Sequence, residues 1–184
     1  ALLAFPAAAA AFPEATLFET TGGNGAGANT MPPPSNLYKV DPATGAVQFQ
    51  RQWRARQNAS VNAATPLVAG DLIFISAEYG PGAAALRIEG TKLTELWSSN
   101  DALSNHYATS VVRDGIVFGF HGRQEFGPSF RAVELKTGRV RWSQDRFMAG
   151  SVILAADRLV ILRENGELLI APARHDKYVE FHDA

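Results

Sequence analysis

His121-Gly-Arg123-Gln-Glu125 is the stretch of this chain best equipped for chemistry. An imidazole near a guanidinium and a carboxylate could supply an acid or base, an anion clamp and the clamp's partner. The stretch runs on into Glu125-Phe-Gly-Pro-Ser129, and Glu78-Tyr-Gly-Pro-Gly82 carries nearly the same pattern earlier in the chain. A motif present twice reads as part of a repeated structural unit rather than as a unique centre. The later copy adds His121, Gly122 and Arg123, so surface recognition is expected there first, through His121, Arg123 and Glu125. His106 and Tyr107, ahead of an apolar run, form the second candidate patch. His106 could bind a ligand or shuttle a proton, although a hydrogen-bonded loop histidine is the plainer reading. No residue is assigned a catalytic role.

Other constellations carry less. No two histidines have metal-ligand spacing, and His175 and His182 sit in a charged terminal segment. Gly23 to Ala28 loosely matches a dinucleotide fingerprint, but no adequate strand precedes it and Met31-Pro-Pro-Pro34 follows where a helix must begin. Asp71, Asp114 and Asp157 fall in equivalent turns, which turn chemistry explains. Arg51, Arg54 and Arg56 form a short basic run that reads as a solvated linker, and Asn58-Ala-Ser60 is a glycosylation sequon. The absence of cysteine removes disulfides, thiolate metal sites and cysteine nucleophiles. A net charge of −1 over 184 residues gives no footing for nucleic acid, and no apolar run is long enough for a membrane span.

The elements that must hold these residues are short strands. Residues 131–142 alternate, turn at Thr137-Gly138 and alternate again into Trp142, which is a hairpin signal. Leu37 to Phe49 repeats the device around Thr44-Gly45, and Leu86 to Trp97 is a degenerate copy that keeps the aromatic. Phe49, Trp97 and Trp142 are 48 and 45 positions apart. Between the hairpins lies a second repeated element: Ala64 to Ile75, Ala108 to Gly119 and Ser151 to Leu162, each an apolar strand, a turn with Asp and another apolar strand. One unit is therefore about 44 residues and four strands, the size of a β-propeller blade. Strands are expected near 64–69, 72–77, 84–88 and 93–98, then 107–112, 116–121, 130–135 and 139–144, then 150–155, 158–163, 167–171 and 177–181. Almost no helix is expected. Residues 1–36 are rich in Ala, Gly and Pro and read as an arm, or as a truncated export signal with a linker; residues 37–184 carry the blades.

Val40 to Gly45 with Phe49, Val133 to Gly138 with Trp142, and Ala64-Thr-Pro-Leu-Val68 resemble the repeat of the PQQ-like (quinoprotein-type) propeller family. The resemblance covers roughly residues 37–184. It implies an all-β propeller of four-stranded antiparallel blades, about three and a half of them in this chain. It also implies that Phe49, Trp97 and Trp142 plug the joints between blades. The family has a dehydrogenase branch that holds pyrroloquinoline quinone and calcium, and a non-catalytic branch that includes the outer-membrane assembly factor BamB. The vicinal cysteine pair typical of the dehydrogenases cannot occur here.

The leading expectation is thus a non-catalytic protein-binding or scaffold module of an exported, periplasmic or secreted protein. It could be a subunit of a larger complex, with another protein as partner and no cofactor. The alternative is a fragment of a quinone- and calcium-dependent dehydrogenase. Three and a half blades leave strand edges open, so the ring is completed by missing residues, the favoured reading, or by another chain.

Overall fold

Asp41–Gly45 and Glu134–Gly138 turn the chain in the same way. Gly45 N–H donates to Asp41 O at 2.8 Å, and Gly138 N–H to Glu134 O at 2.9 Å. The threonine hydroxyls accept from Ala46 N–H and Arg139 N–H, each at 3.3 Å. Both glycines take a left-handed backbone, with φ of +72° and +73°, which costs glycine nothing and other residues something. The strands on either side then follow from alternation.

The computed structural model describes residues 16–20, 36–41, 43–54 and 62–180. These form fourteen strands, as many as three and a half four-stranded blades require. The first sheet is β1 (Thr16–Thr20), β2 (Asn36–Val40) and β3 (Val47–Gln52). The second is β4 (Leu67–Ala69), β5 (Leu72–Ala77), β6 (Gly82–Glu89) and β7 (Lys92–Ser99). The third is β8 (Val111–Arg113), β9 (Ile116–His121), β10 (Ser129–Glu134) and β11 (Val140–Gln144). The fourth is β12 (Gly150–Ala155), β13 (Arg158–Arg163) and β14 (Leu168–Pro172). Every pairing is antiparallel between chain neighbours, the meander of a propeller blade. The three outer hairpins share a bulge at one equivalent place: Lys39/Val40, Ala85/Leu86 and Ala132/Val133. Among the described residues the only helical turn is a 3-10 turn at Gln124–Phe126.

Two expectations are corrected. No strand forms over residues 177–180. His175-Asp-Lys177 has no apolar alternation, and Tyr178 instead inserts its ring among Phe130, Trp142 and Phe147, with centroids 5.4–6.1 Å away. The inner strands expected at 64–69 and 107–112 are only three residues long, β4 and β8. Residues ahead of them bond sideways: Thr65 N–H donates to Thr109 Oγ1 at 3.0 Å, and Ser110 is held by Asn105. Such local polar bonds compete with the ladder. Thr16–Thr20 pairs with β2, so the first sheet reaches into the segment expected to be an arm. Residues 1–15 and 21–35 lie outside the described residues.

The sheets stack in chain order. Leu37, with Ile73, Ile75, Leu86 and Ile88, joins the first to the second. Leu72, Phe74 and Ala85 meet Val117, Val133 and Leu135 between the second and third. Phe118, Phe130 and Trp142 meet Val152, Leu159 and Ile161 between the third and fourth. Trp97 and Trp142 seal two of the joints identically. Trp97 Nε1–H donates to Leu135 O and Trp142 Nε1–H to Arg174 O, each at 2.8 Å and each just past the third strand of the next sheet. Phe49, at the equivalent place in the first sheet, packs on the Leu37–Ile73 cluster. A buried indole adds a large apolar area and a satisfied donor.

This stacking separates two turns of like chemistry. A Cβ at Gly138 would stand 2.7 Å from the Trp97 ring, whereas one at Gly45 meets nothing within 4 Å. Gly45→Ala should therefore cost only the backbone term, roughly 1 kcal/mol. Gly138→Ala should cost roughly 3 kcal/mol, because the Trp97 plug must also move. Urea unfolding of the two variants, followed by circular dichroism, checks the difference.

Candidate functional site

Arg123 stands where two copies of one motif meet. Its guanidinium carbon lies 4.8 Å from the Tyr79 ring centroid and 5.1 Å from that of Phe126. These are the equivalent aromatics of Glu78-Tyr-Gly-Pro and Glu125-Phe-Gly-Pro. Stacked sheets bring the β5–β6 and β9–β10 loops side by side, so repetition in sequence becomes a two-sided aromatic cradle in space. Glu125 completes it, accepting from Arg123 Nη2 at 2.9 Å. Glu125 is held below the usual carboxylate range, by its own backbone N–H first and by Arg123 after it. Glu78 is shifted the other way, because burial outweighs its bond to Tyr79 N–H and the pull of Arg123. Tyr79 adopts a φ of +67°, rare for an aromatic residue. Strained backbone of this kind persists where surrounding contacts over-determine it.

His106 underlies the cradle rather than facing solvent, which corrects its place as a surface group. It is only 5% exposed. Its Nε2 lies 2.7 Å from the Tyr79 hydroxyl, and its Nδ1 accepts from Gln124 N–H at 3.4 Å. With Nδ1 accepting, the proton sits on Nε2 and points to Tyr79 Oη. Burial holds its pKa below the ordinary value. The physical reason for burial is the preceding loop: Asn105 bonds Ser110 Oγ and Phe120 O, each at 3.0 Å, and pins His106 inward. Tyr107 is 55% exposed and covers the His106 ring at a centroid distance of 3.9 Å.

His121 lies apart from Arg123 and Glu125 in role. It sits at the end of β9, half-buried, and its Nδ1 accepts from Ser104 N–H at 3.0 Å. Burial first, then the Arg131 charge, lowers its pKa to about 4. It is a tether for the 100–106 loop. Folded His121 stays neutral while the unfolded residue protonates near pH 6.5. Its share of stability is therefore complete above about pH 6.5 and is lost as the pH falls from there through about 4. Melting temperatures measured from pH 7.5 to 4 should decline over that window. The decline should be shallower in His121→Asn, which keeps an acceptor near Nδ1 but does not titrate.

Phe126, Gln124 and Glu164 were not singled out from sequence. Phe126 is 78% exposed. Gln124 Nε2 donates to Glu164 Oε2 at 2.7 Å, linking the β9–β10 and β13–β14 loops. Beside that link lies a pocket of about 180 Å³ lined by His106, Tyr107, Phe120, Gln124, Gly150 and Glu164. Glu164 is distant in sequence and outside any motif; only the one-motif-per-blade alignment of the loops points to it. A second, open cleft of about 550 Å³ lies between the first two sheets, with Arg51, Trp53 and Glu95 on its walls. Arg51 is ion-paired to Glu95 there. Arg56 and Asn58 lie outside the described residues, as does His182; His175 is exposed.

Among the described residues no three His, Asp or Glu side chains converge as a metal site. The carboxylates of Glu125 and Glu164 at this face are engaged, the first by Arg123 and the second by Gln124 and Ala149 N–H. The arrangement can bind: two exposed aromatics, an oriented guanidinium and a carboxylate on rigid sheets.

The family model described as outer membrane protein assembly factor BamB matches residues 28–144. Among solved structures, BamB from Moraxella catarrhalis is 16% identical with a TM-score of 0.55, covering 87% of this chain and 43% of that one. A quinohemoprotein alcohol dehydrogenase from Comamonas testosteroni is 11% identical with a TM-score of 0.57, covering 82% of this chain and 32% of that one. The computationally designed Ika4 protein is 12% identical with a TM-score of 0.54, covering 74% of this chain and 79% of that one. At such identities the likeness is one of fold. The chain spans less than half the length of the BamB structure it matches. No curated protein matches it in sequence.

Proposed function

The chain belongs to the family of the outer membrane protein assembly factor BamB, and from that premise we propose that it is a non-catalytic, protein-binding propeller module of an exported protein. The observation that carries this reading is the cradle of Tyr79, Arg123 and Phe126, with Tyr107 exposed on the β7–β8 connection against His106 beneath it. Exposed aromatics beside an oriented arginine are the composition of protein-binding hot spots. The loops stand on stacked sheets, so little ordering is needed on binding. The relative's name, an assembly factor, agrees with a protein or protein complex as partner. A periplasmic or secreted location agrees with that relative's work on outer membrane proteins. Residues 1–36, apart from β1, would serve as an arm over neighbouring surfaces, and the blades over 37–184 as the scaffold. Among the described residues no helix is long and apolar enough to cross a membrane.

The dehydrogenase reading rests on a fold shared with quinohemoprotein alcohol dehydrogenase, and a shared fold does not choose a function. Titration with pyrroloquinoline quinone and calcium, followed by dye-linked alcohol oxidation, separates the two. We expect neither saturable quinone binding nor turnover. Saturable binding with turnover would replace the scaffold by an enzyme.

A further inference from the structure

The joint between the third and fourth sheets holds a pocket at the place that an imidazole fills one joint earlier, and chain length explains the difference. Glu164 N–H donates to Ala149 O at 2.8 Å, as Gly122 N–H donates to Ser104 O at 2.9 Å. Counted from the first hairpin turn of each sheet, Glu164 stands at the place of Gly122, and Ile153 at that of Val111. Six residues, 105–110, run from that bond to Val111, but only three, 150–152, run to Ile153. The longer connection carries His106 and Tyr107 and sets the His106 ring against Tyr79, between the second and third sheets. The shorter one has no side chain to put in the matching place. Ala149 and Gly150 line it, and a Cβ on Gly150 would already stand 3.0 Å from the Phe120 ring. About 180 Å³ stays open.

That volume is below the roughly 300–1,000 Å³ of small-molecule pockets and near the ~150 Å³ of a cavity that holds a benzene-sized group. It has room for one side chain. Tyr107, Phe120 and Pro128 supply apolar walls, and Glu164 supplies a carboxylate. Neutral donors hold that carboxylate: Gln124 Nε2 at 2.7 Å on one oxygen and Ala149 N–H at 3.3 Å on the other. A carboxylate has about four acceptor sites, so both oxygens keep capacity. Glu125, Glu167 and Glu180 are each paired with an arginine. Among the described residues Glu164 is in no ion pair. Arg163, next to it in sequence, turns instead to Glu167, to Glu180 and over the Phe147 ring.

An ammonium on an apolar stem answers all of these features. The stem lies along Tyr107 and Phe120, the head reaches Glu164, and the ring faces add cation–π attraction. We infer that this pocket receives a lysine side chain of the bound protein, with Glu164 as its counter-charge. The inference rests on the protein-binding role proposed above and adds the residue that is recognised. The pocket and the cradle share one turn, Gln124–Phe126: Gln124 lines the pocket, and Phe126 stands exposed against Arg123. A segment laid across Phe126 and Tyr107 brings a side chain to the pocket.

Amide NMR of the 184-residue chain with Nα-acetyl-lysine methylamide tests the pocket without any partner. We expect saturable shifts of the Ala149 and Gly150 backbone amides and of the Gln124 side-chain amide. The uncharged norleucine analogue on the parent, and the lysine analogue on Glu164→Gln, should each bind at least about tenfold more weakly, the loss of one charge-assisted hydrogen bond. Glu164→Gln should keep the parent's melting temperature, because its carbonyl still accepts from Ala149 N–H and a turned-over Gln124 amide still bonds it. Equal binding of the norleucine analogue would make the pocket merely apolar, and equal binding by the variant would place the ammonium elsewhere. Either result overturns the inference, as does the absence of saturable shifts. In peptides whose binding falls in Phe126→Ala, changing the lysine to norleucine should cost about tenfold on the parent and little on Glu164→Gln. Peptides that need Phe126 but no lysine would overturn the inference and leave the protein-binding role standing. Lysine-analogue binding with no peptide binding would uphold the ammonium pocket and overturn the role.

Discussion

Replacing Trp142 with alanine is expected to lower the free energy of unfolding by about 4 kcal/mol, the range for deleting a large buried aromatic. Trp142 is 9% exposed and lies 5.5–5.9 Å, ring to ring, from Tyr178, Phe130 and Phe118. Phe118 and Phe130 come from β9 and β10 of the same sheet as Trp142, and Tyr178 from the segment after β14, so the cavity would open on the face that meets the fourth sheet. Phe130 and Phe147 stack on each other at 5.1 Å and cannot both move into the gap. The loss also strands Arg174 O, which accepts from the indole. Trp142→Phe separates the two parts: it keeps much of the ring and loses the hydrogen bond, for about 1–2 kcal/mol. Urea denaturation of both variants measures the pair. Equal costs would mean that the hydrogen bond, not the packing, holds the joint.

Gly119→Ile is expected to cost about 3 kcal/mol or more, by overpacking. The repeat alone argues the opposite, because Ile75 and Ile161 occupy the same place in the second and fourth sheets, each buried. In the third sheet the space is already taken. A Cβ on Gly119 would collide with the Ser110 side chain and come 3.3 Å from Asn105 Nδ2. Ser110 and Asn105 cannot step aside cheaply, since Asn105 also bonds Phe120 O and holds the loop that buries His106. The variant should lose the Tyr79–His106 contact along with stability, seen as a shift of the His106 imidazole signals in NMR. A stability equal to the parent's would show that the Asn105–Ser110 bonds are dispensable.

These two residues also mark how far sequence carried the structure. The outer hairpins were legible because one cause acts in each: a Thr-Gly turn or its tighter variant, a bulge and an aromatic that the next sheet covers. Trp97 and Trp142 follow that cause and share one hydrogen-bond geometry. The inner strands were legible in place but not in length, because Asn105, Thr109 and Ser110 form local bonds that pattern does not reveal. The strand expected at 177–181 failed where the aromatic cluster gave Tyr178 a better position than a fourth ladder. At the candidate site, Arg123 was visible as part of the three-residue addition His121 to Arg123, and Glu125 as part of the repeated motif. The cradle was not, since Tyr79 and Phe126 become neighbours only after two sheets stack. His106 is the hydrogen-bonded loop histidine of the plainer reading, bonded to Tyr79 and Gln124, but its burial and that of His121 depend on loops packed beneath the surface, which the sequence pattern does not reveal.

The central claim is that the loop face around Arg123 recognises protein. The most direct measurement is selection of a phage-displayed peptide library on the immobilised chain, followed by fluorescence anisotropy of the best peptide. The account predicts binding to the parent that falls at least about tenfold in Phe126→Ala and in Arg123→Ala, the cost of losing one hot-spot residue. Both variants should keep the parent's melting temperature within a few degrees, since Phe126 is largely exposed. Peptides that bind both variants as tightly as the parent would place recognition elsewhere and contradict it.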